Sequence, residues 1–203
     1  MKKIAALISA FTLCVTLTAC SSPSPKEIPD DFSGIELLRW SEADRQVFGT
    51  LEEIEEACDL VVVGTFIEDS IQDLDYHYDD FFGKEIIGLV HSENTIEVSQ
   101  VLRGDAEPGD LLEIHQGYAV NDGKLISWSD LTPMIKGDTW VFFLSTANGC
   151  SFYWCTGDSD GRYPVSTAQN QSLAVSEYSE LGVYDRNDFK DRIYNELVEK
   201  YGI

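Results

Sequence analysis

Hydrophobic and polar positions along the chain fall into short blocks separated by turn residues, and most blocks carry the period of a strand. Leu60-Val61-Val62-Val63-Gly64-Thr65-Phe66-Ile67 is apolar and β-branched and has no polar face at its start, which predicts a strand buried on both sides. Gly64 inside it signals a bulge or a close backbone approach. Thr95 to Leu102 begins with Ile96 and Val98 on one face and Glu97 and Ser99 on the other; the change of phase at Val101 predicts a second bulge or the strand end. Arg103-Gly104-Asp105 and Pro108-Gly109-Asp110 are turn sequences that lead into a short strand around Leu112-Glu113-Ile114. Asn121-Asp122-Gly123 predicts a hairpin turn between Tyr118-Ala119-Val120 and Leu125-Ile126. Thr139-Trp140-Val141-Phe142-Phe143-Leu144, opened by Lys136-Gly137-Asp138, has no polar face and reads as a central strand. Phe152-Tyr153-Trp154, a turn from Gly157 to Gly161 and Tyr163-Pro164-Val165 follow.

Two segments have a helical pattern instead. Thr50-Leu51-Glu52-Glu53 has the form of a capping box and predicts a short helix from Thr50 to about Cys58. From Asn187 onward, Phe189, Ile193, Leu197 and Val198 share one stripe, and Gly202 follows the last turn. Regular short strands with turn signals mean a mainly β, antiparallel domain, barrel or sandwich, spanning 49–203, with a short helix before its first strand and a C-terminal helix packed on it.

The N-terminus carries a different pattern. Met1-Lys2-Lys3 precedes an uncharged run from Ile4 to Leu17, shorter than the ~20 residues a membrane-spanning helix needs but suited to the apolar region of a signal peptide. Leu17-Thr18-Ala19-Cys20 then resembles the lipobox of bacterial lipoproteins. That resemblance makes residues 1–19 a lipoprotein signal peptide and Cys20 the lipidated residue, carrying a diacylglyceryl thioether whose two acyl chains give the stable anchor that one chain does not. Residues 20–48 then form the lipidated Cys and a flexible tether, whose first part, 21–34, is rich in Ser, Pro and acids and cannot bury apolar surface.

Charge narrows the set of partners. The 203 residues include 36 Asp or Glu against 14 Lys or Arg, a formal charge of −22; losing Lys2 and Lys3 with the signal takes it to −24. Nucleic acid, recognised mainly through its phosphates, is therefore excluded as a partner, and an anionic leaflet would repel the domain, so that lipid on Cys20 has to provide attachment. With 43% apolar residues the chain still has enough material for a sizeable core.

The succession Asp59 to Thr65, Val98 to Gly104 and Gly137 to Leu144 resembles a pattern in uncharacterised lipoproteins of Gram-positive bacteria. More distantly it is similar to netrin-like domains, the OB-type barrels of tissue inhibitors of metalloproteinases, over residues 50–166. The resemblance implies an OB-like, five-stranded Greek-key barrel. It does not carry function, because those inhibitors chelate the protease zinc through a free N-terminal Cys amine, whereas Cys20 is expected to be acylated and stands about 40 residues before the first strand.

Several short patterns carry candidate chemistry. Gly157-Asp158-Ser159-Asp160-Gly161 has the Gly-x-Ser-x-Gly form of a nucleophile elbow, but no His follows it and two carboxylates flank the Ser, so a turn is expected. Asp73, Asp75, His77 and Asp79 alternate and would share one strand face, a donor set suited to a cation; a solvated acidic edge is the alternative. Arg103-Gly104-Asp105 spells an integrin tripeptide at a place where the chain must turn. His77, His91 and His115 are scattered and suggest no local ligand set. Cys58, Cys150 and Cys155 remain after Cys14 leaves and Cys20 is acylated; Cys150 and Cys155 can bond only across a turn, a bond from Cys58 to either is equally open, and so are three buried thiols. Trp128, Trp140, Tyr153 and Trp154 either fill the core or line a groove.

With no coherent catalytic set, no cofactor and no metal ligand assigned, the expectation is a membrane-anchored extracytoplasmic lipoprotein. It would act as a non-enzymatic binding or envelope-interaction module with a protein, peptide or glycan ligand. An extracytoplasmic hydrolase or metal-dependent enzyme whose site assembles only in three dimensions is the alternative.

Overall fold

The computed structural model describes residues 36–40, 46–67, 71–128, 131, 133–146, 149–165 and 187–203. Residues 1–35, which include Cys20, the expected signal peptide and the Pro-rich stretch, lie outside the described residues. In chain order the elements are β1 (Glu36–Trp40), α1 (Leu51–Ala57), β2 (Leu60–Phe66), β3 (Ile71–Asp79), β4 (Lys84–Arg103), β5 (Leu111–Gln116), β6 (Tyr118–Asn121), β7 (Lys124–Trp128), β8 (Thr139–Thr146), β9 (Tyr153–Cys155), a 3-10 turn (Asp158–Gly161), β10 (Arg162–Pro164) and α2 (Asn187–Tyr201).

The fold is mainly β, and five of the strands close into an OB-like barrel. β2, β4 and β5 lie side by side, β9 joins β5, and β8 closes the ring by pairing with both β9 and β2. Four seams are antiparallel and the fifth, β5 with β9, is parallel. β10 shares the edge of β8 with β9, pairing with Trp140 to Phe142 while β9 pairs with Leu144 to Thr146.

The apolar runs mark the strands that are covered on both sides. Leu60, Val62 and Phe66 of β2 and Trp140, Phe142 and Leu144 of β8 fill the barrel together with Ile96, Val98 and Ile114. The alternate residues Val61, Val63, Val141 and Phe143 face outward under Leu51 and Ile54 of α1 and Phe189, Ile193 and Leu197 of α2. A strand between two apolar layers has no polar period, which is the pattern these segments show. Val198 stays exposed, so the buried stripe of α2 is the i, i+4 row Phe189, Ile193 and Leu197.

Local signals act as their chemistry dictates, with adjustments. The Thr50 side chain accepts the Glu53 amide at 3.2 Å, while the Glu53 carboxylate accepts the amide of Gly49, one residue before the expected partner, at 2.6 Å. β2 meets β4 with two register shifts, one between Val63 and Gly64 and one opposite Val101, where the sequence changes phase. Asp122 and Gly123, both at positive φ, make the turn that pairs Asn121 with Lys124.

Outside the barrel, β4 continues toward its N-terminal end as a long ribbon paired with β3. A second sheet, in the order β1, β7, β6, packs there, with Val90, Ala119 and Ile126 as a small core of their own. β1 pairs in parallel with β7 and falls inside the 20–48 segment that composition assigns to the tether.

Candidate functional site

β4 and β5 pair with Glu93 opposite His115 and Thr95 opposite Glu113. Because side chains alternate across a strand, Ile96 and Ile114 enter the barrel, whereas His91, Glu93, Glu113 and His115 share the outer face, which the helices do not cover. Two sequence fragments, His91-Ser92-Glu93 and Glu113-Ile114-His115, are thereby laid side by side.

Their polar atoms converge. The His115 Nε2 is 2.7 Å from Glu113 Oε1, and the His91 Nε2 is 3.6 Å from Glu93 Oε1. One ligand atom each from Glu93, Glu113 and His115 lies within 4.8 Å of the others. Both imidazoles are buried, His91 at 9% and His115 at 7% exposure, while the two glutamates reach solvent.

Aromatic rings frame the pair. The His115 ring is nearly parallel to His91, with centroids 5.3 Å apart, and to Phe152, at 3.7 Å. Trp154, which pairs with His115 across the β5–β9 seam, meets it edge to face at 5.5 Å. β5 lies between β4 and β9, so His91 and Phe152 reach His115 from either neighbouring side. The arrangement combines two imidazoles, two accessible carboxylates and an aromatic wall.

A buried polar layer on the inner side holds this register. The Asn94 side chain donates to the carbonyls of Ser92 and Ile114, at 3.2 and 3.3 Å, and accepts from the Tyr118 hydroxyl at 2.9 Å. Arg162 donates to the Gln116 side chain at 2.6 Å with its guanidinium 4.6 Å from the Trp140 ring. A one-residue slip of β5 would turn Glu113 and His115 inward and Ile114 outward, so these bonds protect the alignment of the outer face.

The candidates from the sequence have other placements. Asp73 pairs with His91 through the backbone of β3 and β4, and its side chain lies outside the described residues. Asp75 is exposed, the His77 ring covers the bare backbone of Gly88, and Asp79 accepts the amides of Phe81 and Phe82 at 2.8 and 3.0 Å, capping the hairpin turn. Among the described residues, Asp75, His77 and Asp79 make no group of converging ligand atoms.

Gly157 to Gly161 forms a 3-10 turn between two short strands, with the Ser159 carbonyl accepting from Lys190, and not the strand-to-helix elbow a nucleophile needs. Arg103-Gly104-Asp105 is a turn with Gly104 at positive φ, where a Cβ would come 2.7 Å from the Asp59 carbonyl, and the Arg103 guanidinium donates to the Glu55 carbonyl.

Cys58, Cys150 and Cys155 form no disulfide; Cys150 is exposed and the others are buried. Burial pushes the Cys58 thiol up to about 11 and the Cys155 thiol up to about 12, which leaves both as poor nucleophiles. Trp140 belongs to the barrel core, Tyr153 packs partly against it, and Trp154 stands on the outer face.

Glu93 and Glu113 are the residues the sequence reading misses, and its view of His91 and His115 as scattered is corrected by strand pairing, which stacks the two rings. The signal that was present is a His/Glu pair at i, i+2 in two strand segments. No protein-family model matches the chain, and no curated protein matches it in sequence.

Proposed function

We propose that this protein is a lipid-anchored lipoprotein on the extracytoplasmic face of the cell membrane, acting there as a non-enzymatic binding or envelope-interaction module. The observation that carries the reading is Leu17-Thr18-Ala19-Cys20 directly after a charged start and a short apolar run. Acylated Cys20 would supply the membrane contact. The likeness to Gram-positive lipoproteins and netrin-like domains belongs to the same proposal.

Two structural features are compatible with a binding module. Apolar side chains occupy the barrel interior, so recognition would fall to an outer surface. The face of β4, β5 and β9 carries Phe152 and Trp154 beside charged and imidazole groups, a mixture suited to a peptide or glycan. Labelled palmitate should enter the wild-type chain and not Cys20→Ser; equal labelling of the two would overturn the anchor.

A second reading, a metal-dependent enzyme assembled in three dimensions, is favoured by the convergence of Glu93, Glu113 and His115. Turnover of an ester, phosphoester or peptide substrate that disappears in Glu113→Gln would move the conclusion to that class.

A further inference from the structure

We propose that Glu93, Glu113 and His115 form a binding site for one divalent transition-metal ion of the zinc type, with water in the remaining position. The inference rests on the outer face of β4 and β5 being the binding face of the module, and it is independent of acylation at Cys20.

The donor chemistry selects the class of ion. An imidazole nitrogen is a borderline ligand and carboxylate oxygens are hard ones; one imidazole with two carboxylates suits Zn²⁺, whereas Ca²⁺ takes six or more oxygens and Mg²⁺ keeps much of its water. Three donors on two neighbouring strands, Glu93 from β4 and Glu113 and His115 from β5, can hold a small ion from one side and leave its other side open to solvent.

The dimensions agree with that class. Bonds of ~2.0–2.1 Å to a tetrahedral zinc place the donor atoms roughly 3.3 Å from one another. Here the His115 and Glu113 donors stand 2.7 Å apart, and the wider set with Glu93 falls within 4.8 Å. Closure therefore asks the first pair to open slightly and the Glu93 carboxylate to swing inward. Both glutamates are partly exposed and have the freedom to do so, while the imidazoles are fixed by stacking against each other and Phe152.

His91 supplies an independent observation. It is nine-tenths buried, its Nδ1 has no hydrogen-bond partner among the described residues, and its Nε2 side faces Glu93 at 3.6 Å. A buried imidazole so placed is not held there by a full set of hydrogen bonds within the described chain, and its other nitrogen faces the Glu93 carboxylate.

The full chain, purified in mild detergent and stripped with a chelator, is titrated with Zn²⁺ and with Ca²⁺ by calorimetry and with Co²⁺ by visible absorption. One equivalent of Zn²⁺ should bind, Ca²⁺ should not compete, and Co²⁺ should show the intense bands of a low-coordinate nitrogen and oxygen site. Glu93→Gln and Glu113→Gln alter accessible side chains and leave the barrel folded by circular dichroism; each should weaken Zn²⁺ about tenfold or more. Asp75→Asn, on the neighbouring acidic strand, should bind as wild type. The site is overturned by absence of Zn²⁺ binding, by equal competition from Ca²⁺, or by unchanged affinity in both Gln variants. A chain that takes labelled palmitate at Cys20 but binds no Zn²⁺ sinks this inference alone, whereas a chain that binds Zn²⁺ but takes no label sinks the anchor alone.

Discussion

The Tyr201 hydroxyl donates to the buried Glu55 carboxylate across 2.5 Å, joining the last residue of α2 to the middle of α1. Lys200 reaches the other oxygen of the same carboxylate, also at 2.5 Å. Together they place two donors on a side chain that is only 9% exposed, at the seam where both helices cover β2 and β8.

Removing the hydroxyl in Tyr201→Phe should lower stability by about 1 kcal/mol, the usual worth of a hydrogen bond to a retained partner. Lys200→Met should be more damaging, about 1–3 kcal/mol, because the carboxylate loses its counter-charge, although half-exposure of the Lys side chain limits the effect. Urea midpoints at constant slope measure both. Two neutral substitutions would mean that α2 is held by Phe189, Ile193 and Leu197 alone.

Alkaline solution should destabilise the protein earlier than it would a chain with exposed thiols. Burial raises Cys58 and Cys155 from 9.0 to about 11 and about 12, and burial, followed by the hydrogen bond and charge of Glu55, raises Tyr201 above its ordinary 10.0. Each folded-state value lies above the unfolded one, so above about pH 9 the unfolded chain holds fewer protons and stability falls as pH rises, the loss continuing through the folded values. Urea midpoints between pH 8 and pH 11, taken about one unit apart, should decline more steeply for the wild type than for the double variant Cys58→Ala, Cys155→Ala. Identical slopes would remove the thiols from the explanation.

Gly64 is a packing requirement as well as a bulge position. A Cβ there would stand 2.6 Å from Cδ1 of Ile96, which is fully buried in the barrel. Gly64→Ala should therefore destabilise by about 1–3 kcal/mol through overpacking. Ile96→Val, which removes the clashing methyl, should recover part of that loss in the double variant, and thermal unfolding of the four chains gives the coupling. Additive effects would show that the two residues do not share the space.

Much of the barrel is legible in the sequence for a definite reason. β2 and β8 lie between the barrel interior and the helices, so both faces are apolar and the runs at Leu60 and Thr139 stand out. Thr50, Asp122-Gly123 and Gly202 act through bonds or dihedrals within a few residues, and such signals survive without tertiary context. The first half of β4 is harder to read because its long ribbon is largely open to solvent, with Leu89 and the hairpin aromatics Phe81 and Phe82 exposed. There the hydrophobic period that marks a half-buried strand is weak.

The chain by itself determined the class of fold, the two helices, the turn chemistry and an acidic charge that opposes phosphate, because each depends on composition or on neighbours in sequence. Only the tertiary structure decided which polar residues meet. Glu93 and His115 are separated along the chain and become cross-strand partners through the register of β4 on β5, and Phe152 and Trp154 reach them through the parallel seam that closes the barrel. Register is a long-range property, set by the buried bonds of Asn94, Tyr118, Gln116 and Arg162 and by which residues the core accepts, and no window of sequence contains it.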